Sequence, residues 1–414
     1  MNTASRCTAA FAALALAAGT AAAQAKYDLG GSALEIRIGS VMPYSGPFAA
    51  YGMIGRTEAA YFAKLNDEGG INSRKITLVS YDDGFDPATT LEAARRLVEQ
   101  DQVLLVFQSL GTAPSTAIER YLNRKKTPQL FVASGASRFG DAARFPWTMG
   151  WQPTYETEGR IYAKYLLASH PNGKIGVLAA DDATGKEYVK GLRDALGGRM
   201  QIVPEPPHES EETGTIGGQI AALKAADADI LFIAEPPDVA ERALTEAAEI
   251  GWKPLVLLAS IAASADGVVK PAGFDDDQDL LSAAYMKSGA DFAWQSDTAR
   301  LEWAAFLDKY YPDGDPASDF TVYGYLAAQT AAQVLRQCGD NLTRENVMRQ
   351  AAGLKDLRLG MLLPGISVNT APDDYFPIKQ MQMERFVGES WQLFGPVIDG
   401  DLGADRLAVS GDTK

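Results

Sequence analysis

The chain has 414 residues, and its 53 Asp and Glu residues outnumber its 38 Lys and Arg residues, which gives a formal net charge of −15. This acidic balance excludes the basic face that a nucleic-acid-binding protein needs. The hydrophobic fraction of 46% and the charged fraction of 22% exclude a largely disordered chain, and the length predicts two or three domains.

The N-terminus has the pattern of a secretory signal peptide. Arg6 supplies a positive charge, and residues 9–18 form an apolar run. Ala21-Ala22-Ala23 and Ala23-Gln24-Ala25 both fit the small-x-small pattern, so cleavage can follow Ala23 or Ala25. The run is shorter than the roughly 20 apolar residues of a transmembrane helix. An Ala-rich N-terminal helix is the alternative. We expect residues 1–25 to be removed on export.

The cysteine content and the later apolar runs predict an exported chain without an internal disulfide and without a membrane span. Cys7 leaves with the signal peptide, so Cys338 remains alone and we expect no internal disulfide. No later segment has the uninterrupted apolar length of a membrane span.

Short apolar runs recur along the chain and predict the strands. Most of them are continuous rather than alternating, which is typical of parallel strands that are buried on both faces. The predicted strands lie at residues 36–39, 76–79, 103–107, 130–132, 175–178, 230–233 and 255–258.

Segments with helical spacing separate these runs. Asp86-Pro87 predicts a helix start, with an N-cap followed by proline at the first helical position. Because parallel strands need crossover connections, helices between them predict an α/β fold with doubly wound sheets. The apolar stripes that mark these helices are Leu91, Ala94 and Val98; Ile118, Tyr121 and Leu122; and Ile216, Ile220 and Leu223.

The strand–helix alternation is interrupted twice. An aromatic- and proline-bearing stretch covers residues 140–153, and a second interruption surrounds the apolar run 280–285. Long helices are predicted at residues 298–311 and 318–338, and residues 380–386 alternate like a strand. We therefore expect two α/β lobes, with the later chain returning to complete both.

Catalytic motifs are missing. No Gly-x-Ser-x-Gly nucleophile elbow occurs, and the two histidines offer little material for a triad or a metal site. Gly185-Lys186 is followed by Glu187 rather than Ser or Thr, which excludes a phosphate-binding loop. We expect no enzyme, no metal and no cofactor.

Polar and small residues follow two predicted strands at the edge where α/β sheets bind ligands. Thr112 follows the strand 103–107 and opens a helix, whose free N–H groups favour an anion. Ser134-Gly135-Ala136-Ser137 follows the strand 130–132 and lets a ligand approach the backbone. The alternatives are that Thr112 only caps its helix and that the second stretch is a plain turn. These residues alone indicate a small-molecule site between two lobes.

One set of motifs is more specific. It consists of Ile38-Gly39-Ser40-Val41-Met42-Pro43-Tyr44-Ser45-Gly46-Pro47, Tyr51-Gly52, Asn66-Asp67-Glu68-Gly69-Gly70-Ile71, Tyr81-Asp82-Asp83 and Asp86-Pro87. In order and spacing it resembles the leucine/isoleucine/valine-binding-protein family, over residues 36–397.

The resemblance implies a type I periplasmic-binding fold, with two doubly wound parallel-sheet lobes joined by three crossovers. Together with the two interruptions, it divides the chain into an N-terminal lobe of residues 34–151 plus 286–360 and a C-terminal lobe of residues 152–285 plus 361–400.

The resemblance also implies site residues. Thr112 and the turn Gly135-Ala136-Ser137 match the positions that hold the ligand's carboxylate, and Tyr51 matches an aromatic pocket wall. In the second lobe, Thr184 and Pro236 fall at or near positions that are aromatic in amino-acid binders.

One departure bears on the ligand. Amino-acid binders of this family place an acidic residue, which pairs with the ligand's ammonium, where this chain has Ser260; Glu235 is a carboxylate nearby, but it follows a different strand. A buried ammonium without a carboxylate partner is costly. We therefore favour an aromatic or other organic acid over a branched-chain amino acid.

The expected function is a soluble periplasmic substrate-binding protein of an ABC importer. It would act as a monomer, capture a small carboxylate-bearing ligand between its lobes and present it to the permease in the inner membrane. The alternative is a ligand-sensing module of the same fold that acts through a membrane signalling partner.

Overall fold

A computed structural model describes residues 25–203, 215–273 and 278–402. Nearly all of the expected signal peptide, residues 1–24, lies outside these residues. Within the described ranges, every helix is too short or too polar to cross a membrane.

The described strands alternate with helices through most of the chain. The strands are β1 (Lys26–Tyr27), β2 (Glu35–Met42), β3 (Lys75–Asp82), β4 (Leu105–Phe107), β5 (Gln129–Val132), β6 (Thr148–Gly150), β7 (Lys174–Ala179), β8 (Gln201–Ile202), β9 (Ile230–Ala234), β10 (Leu255–Leu258), β11 (Leu280–Ala284), β12 (Asn341–Leu342), β13 (Gln380–Val387) and β14 (Ser390–Asp399). The α-helices are α1 (Gly52–Asp67), α2 (Pro87–Glu99), α3 (Thr112–Lys125), α4 (Tyr155–Ser169), α5 (Ala183–Leu196), α6 (Ile216–Ala225), α7 (Pro237–Glu249), α8 (Thr298–Tyr310), α9 (Asp319–Cys338) and α10 (Arg344–Ala351).

The first large sheet is parallel throughout, with five strands in the order β3-β2-β4-β5-β6. Its two faces carry separate apolar cores. Ile38 packs in the core that contains Phe62 of α1, whereas Val41 packs in the core of Leu97 from α2 and Leu122 from α3. Helices thus cover both faces, which confirms the doubly wound arrangement and explains why the strands are continuously apolar.

The second large sheet is mixed, with seven strands in the order β14-β13-β11-β10-β9-β7-β8. The strands from β8 to β11 are parallel, but β13 runs antiparallel to β11 and to β14. The expectation of a wholly parallel lobe is therefore wrong at this edge. Only Gly388 and Glu389 separate β13 from β14, and a connection this short allows only an antiparallel hairpin.

The chain passes between the two large sheets three times. Trp151 lies in the first crossing, after β6, and is fully buried. Tyr285 lies in the second crossing, after β11, where its carbonyl accepts from the N–H of Leu363 in the third crossing at 3.0 Å. The rings of Trp151 and Tyr285 are 6.1 Å apart, so the crossings lie side by side.

After the second crossing the chain returns to the first sheet. The ring of Tyr61 on α1 contacts Phe306 of α8 at 6.0 Å and Tyr325 of α9 at 5.3 Å. The crossings fall near the predicted lobe boundaries, while the exact division into lobes stays a prediction.

Candidate ligand-binding cleft

The carboxyl ends of β4 and β5 bring the first group of predicted residues together. Gly111 is the N-cap of α3 with φ 90°, and an added Cβ would lie 2.3 Å from the ring of Phe85, so glycine is required there. Thr112 is the first helical residue rather than the cap, so the prediction that its side chain caps α3 is wrong. Its hydroxyl lies 2.8 Å from that of Ser134, which joins the two strand ends.

Gly135 and Ala136 are buried behind this pair. A Cβ on Gly135 would lie 2.6 Å from the ring of Tyr155, and the carbonyl of Gly135 accepts from the N–H of Tyr155 at 2.8 Å. The N–H of Ala136 donates to the Ser134 hydroxyl at 3.2 Å. The small residues therefore make room for the aromatic side chain of Tyr155, which comes after the first crossing.

Tyr155 begins α4, which Thr154 caps by accepting from the N–H of Thr157. Its ring packs on that of Tyr188 with centroids 4.9 Å apart. Burial raises the pKa of Tyr155, and the hydroxyls of Ser134 and Thr112 next to its own oppose that shift. Tyr155 thus faces the donors that were assigned to the ligand.

Ser137 has a carboxylate partner on α5. Its N–H donates to Oε2 of Glu187 at 2.8 Å, and its hydroxyl donates to Oε1 at 2.9 Å. Burial raises the pKa of Glu187, and the two bonds from Ser137 oppose this rise. Since Ser137 follows the first sheet and Glu187 flanks the second, this pair of bonds spans the two halves of the molecule.

The second sheet contributes its own strand ends. Ala179 of β7 lies opposite Ala234 of β9, so the residues that follow share one edge. Thr184, in the first turn of α5, is half-buried and donates its N–H to Asp182 at 2.8 Å. Pro236 is the half-buried N-cap of α7.

Glu235 is the titratable group at this edge. Its side chain is 8% exposed. Burial raises its pKa to about 7, with further contributions from the charges of Asp182 and Asp238. A carboxyl group that titrates near neutrality lies beside Pro236.

Ser260 follows β10 and points to a different partner. Its N–H and hydroxyl donate to Oε1 and Oε2 of Glu158 on α4, at 2.6 and 2.7 Å. The hydroxyls of Tyr162 and Tyr188 lie 2.7 and 3.0 Å from the same carboxyl group. A carboxyl group thus stands beside Ser260, with donors of this chain around both of its oxygens.

Tyr51 closes the cleft from the side of α1. It is the N-cap of that helix, and its ring lies 4.7 Å from the ring of Phe320. Burial raises its pKa to about 12, with a smaller contribution from nearby Tyr155. Tyr51 and Phe320 form an aromatic wall next to the hydroxyl group of Tyr155.

The structure brings some of the predicted residues together. The carboxyl ends of β4 and β5 bring together Thr112, Gly135, Ala136 and Ser137, and Tyr51 lies near them. Thr184 lies one helical turn before Glu187. Pro236 and Ser260 form hydrogen bonds with residues of helices that flank the second sheet, α7 and α4.

Sequence reasoning missed Tyr155, Glu158 and Glu187. Only Glu187 had a local signal, because residues three apart on a helix share a face and Thr184 was already a candidate. The partners of Tyr155 and Glu158 lie on other elements, and neither residue belongs to a motif.

The comparisons with known proteins agree with this fold. The family described as periplasmic binding protein matches residues 35–385. A relative, Leu/Ile/Val-binding protein homolog 1 of Brucella abortus, is 26% identical over 342 residues, which cover 76% of this chain and 82% of the relative.

Two solved structures share the architecture. A fatty acid ABC transporter substrate-binding protein from Thermomonospora curvata superposes with a TM-score of 0.74 at 18% identity, over 91% of this chain and 95% of that one. A branched chain amino acid ABC transporter from Thermus thermophilus with bound valine gives 0.75 at 16% identity, over 90% and 97%.

At these identities the structural matches show the fold alone. The expected resemblance to the Leu/Ile/Val-binding proteins and the expected fold class are confirmed. The chain belongs to the periplasmic binding protein family.

Proposed function

We propose that this protein is the periplasmic receptor of an ABC importer and that it captures a small organic acid whose carboxylate is held by Ser137. The receptor works without making or breaking a bond. The ligand stabilises the closed arrangement of the lobes only by its greater affinity for that arrangement. The permease partner and the monomeric state belong to this proposal.

The observation that carries the proposal is the geometry at Ser137. Its N–H and hydroxyl converge on both oxygens of one carboxylate, at 2.8 and 2.9 Å. Charge-assisted bonds of this kind are roughly twice as strong as those between neutral groups. The donors lie at the carboxyl end of β5, the edge where parallel sheets bind ligands.

The surroundings favour an acid without an amino group. Ser260, which stands where amino-acid binders carry an acidic residue, gives both of its donors to Glu158. Glu235 also lies at this edge of the second sheet, and burial and its acidic neighbours raise its pKa to about 7, so much of it is uncharged at neutral pH. The aromatic wall of Tyr51 and Phe320 suits an aromatic or branched apolar body.

The descriptions of the two structural neighbours named above both mention molecules that bear a carboxylate. One is described as a fatty acid transporter component, and the other holds valine. Both ligand types have a carboxylate, and only valine has an amino group.

A thermal-shift screen of the chain without residues 1–25 tests the proposal. The compounds are L-leucine, L-valine, benzoate, 4-hydroxybenzoate, isovalerate and the amides of the three simple acids. A compound at about 100 times its dissociation constant adds about 2.7 kcal/mol of stability, which raises the Tm measurably. We expect a shift with acids that lack an amino group and none with the amides.

Glu235→Gln separates the two ligand classes. It should leave the affinity for an organic acid unchanged and weaken that for an amino acid. A shift with leucine or valine alone would overturn the organic-acid assignment, and binding of the amides as tightly as the acids would overturn the role of Ser137.

A further inference from the structure

We propose that Glu187 is a built-in occupant of the carboxylate site, which an incoming ligand's carboxylate has to replace. This inference rests on the proposed function, because it takes Ser137 as the residue that holds the ligand. It adds a specificity-determining residue on the opposite lobe, at a position that no motif of the resemblance includes.

The contact between Ser137 and Glu187 consists of two hydrogen bonds. Both oxygens of Glu187 are used, one by the N–H and one by the hydroxyl of Ser137. A ligand carboxylate offers the same two oxygens with the same spacing, so it can replace Glu187 at both donors. An amide or an alcohol offers one acceptor oxygen and leaves a donor of Ser137 unpaired, which costs free energy when the site is closed.

The helix that carries Glu187 holds it in place. α5 is capped by Asp182, which accepts from the N–H groups of Thr184 and Gly185. An added Cβ on Gly185 would lie 2.1 Å from the carbonyl of Ala180, so the first turn is packed tightly against the end of β7. This rigid start fixes the direction in which Glu187 reaches toward Ser137.

The charges around Glu187 make its replacement feasible. Glu156 on α4 repels it and Lys190 on α5 attracts it, but Lys190 is already paired with both Glu156 and Asp194. When a ligand takes the donors of Ser137, the displaced carboxylate can turn toward Lys190 and solvent. The site therefore exchanges one carboxylate for another instead of being filled from an empty state.

Acetate rescue of a truncated variant tests this inference. Glu187→Ala removes the Cγ and carboxylate atoms, and acetate has the same heavy atoms as the deleted group. We expect the Tm of Glu187→Ala to rise saturably with sodium acetate at constant ionic strength, and not with acetamide. Wild type should respond to acetate no more than it does to chloride.

Two controls isolate the contact. Glu249→Gln removes a negative charge from an exposed position at the end of α7 and should behave like wild type. The double variant Ser137→Ala/Glu187→Ala keeps only the N–H of residue 137 and should lose most of the acetate response. If Glu187→Ala does not fold, Glu187→Gln, whose amide has only one acceptor oxygen, should show a smaller acetate response.

The change in ligand affinity when Glu187 is removed gives a second readout. If Glu187 occupies the donors most of the time, its removal should tighten the binding of the best acid in the screen by about fivefold or more. A folded Glu187→Ala variant with no acetate response and no gain in affinity would overturn the inference. An acetate response in the variant, together with no acid bound by wild type, would keep the role of Glu187 and overturn the proposed ligand class.

Discussion

Ser260 donates its N–H and its hydroxyl to the two oxygens of Glu158, at 2.6 and 2.7 Å. The carboxyl group of Glu158 is 3% exposed, and it ties the start of α4 to the end of β10. Burial raises its pKa, and the donors around it oppose that shift. Ser260 therefore mainly supplies hydrogen bonds to a buried carboxyl group. We expect it to contribute to the free energy of unfolding.

Ser260→Ala tests this structural role. The variant removes one of the donors to Glu158 and should lower the free energy of unfolding by about 1–3 kcal/mol. Urea unfolding measures this change, and titration calorimetry with the best acid of the screen should give an unchanged affinity. A large loss of ligand affinity at an unchanged free energy of unfolding would contradict the structural role and show that Ser260 binds the ligand.

Glu58 predicts a pH dependence of stability. It lies on α1 with 0% exposure, and neither of its carboxyl oxygens has a hydrogen-bond partner among the described residues. Burial raises its pKa well above the ordinary value of 4.5, so the folded chain keeps a proton that the unfolded chain has lost. Stability contributed by this group is therefore present below pH about 4.5 and falls as the pH rises toward the folded pKa.

Glu58→Gln removes this dependence. The variant should match wild type near pH 4.5 and should be more stable at pH 8, by about 1.4 kcal/mol for each unit of the wild-type shift. Urea unfolding at both pH values checks the difference. Glu68→Gln, at an exposed position at the end of the same helix, is the control and should show no such pattern. Equal pH profiles for wild type and Glu58→Gln would contradict the account.

Glu235 predicts a narrower pH window. Its folded pKa of about 7 lies above the ordinary value of 4.5, mainly because of burial. The advantage of Glu235→Gln over wild type in free energy of unfolding should therefore grow between pH about 4.5 and about 7 and stay constant above that. Chemical unfolding across this range measures it, and a constant difference at all pH values would show that the carboxyl titrates normally.

We expect Trp151 to stabilise the first crossing between the two sheets. Its indole N–H donates to the hydroxyl of Thr330 on α9 at 3.0 Å, and its ring contacts Tyr323 at 4.8 Å. Trp151→Phe loses the hydrogen bond and part of the packing, and should lower the free energy of unfolding by about 1–3 kcal/mol. A double-mutant cycle with Thr330→Val should give a coupling energy of at least about 0.5 kcal/mol. Strict additivity would contradict a direct contact.

The local parts of the fold could be predicted from the sequence. Continuous apolar runs such as residues 230–233 became buried parallel strands, because helices cover both faces of the sheet. Asp86 caps α2 as predicted, since the cap depends only on residues within one turn. The alternating residues 380–386 became β13, but their antiparallel partner depended on a hairpin that the pattern did not reveal.

Only the part of the site that belongs to the first sheet could be predicted from the sequence. Thr112, Gly135 and Ser137 follow predicted strands, so sheet topology alone brings them together. Glu187 lies 50 positions from Ser137 and Glu158 lies 102 positions from Ser260, and both pairs form only when separate elements pack. No spacing within one segment encodes such contacts, which is why the partners of the predicted residues were missed.

The most direct test of the account is titration calorimetry of the best acid from the screen, against its own amide, with wild type, Glu187→Ala and Ser137→Ala/Glu187→Ala. The account predicts that wild type binds the acid and not the amide. It also predicts that, in the Glu187→Ala background, where no side chain competes for the donors, adding Ser137→Ala weakens acid binding by about 5- to 100-fold, as expected for one charge-assisted hydrogen bond. Equal affinities of Glu187→Ala and Ser137→Ala/Glu187→Ala for the acid would contradict the claim that Ser137 holds the ligand's carboxylate.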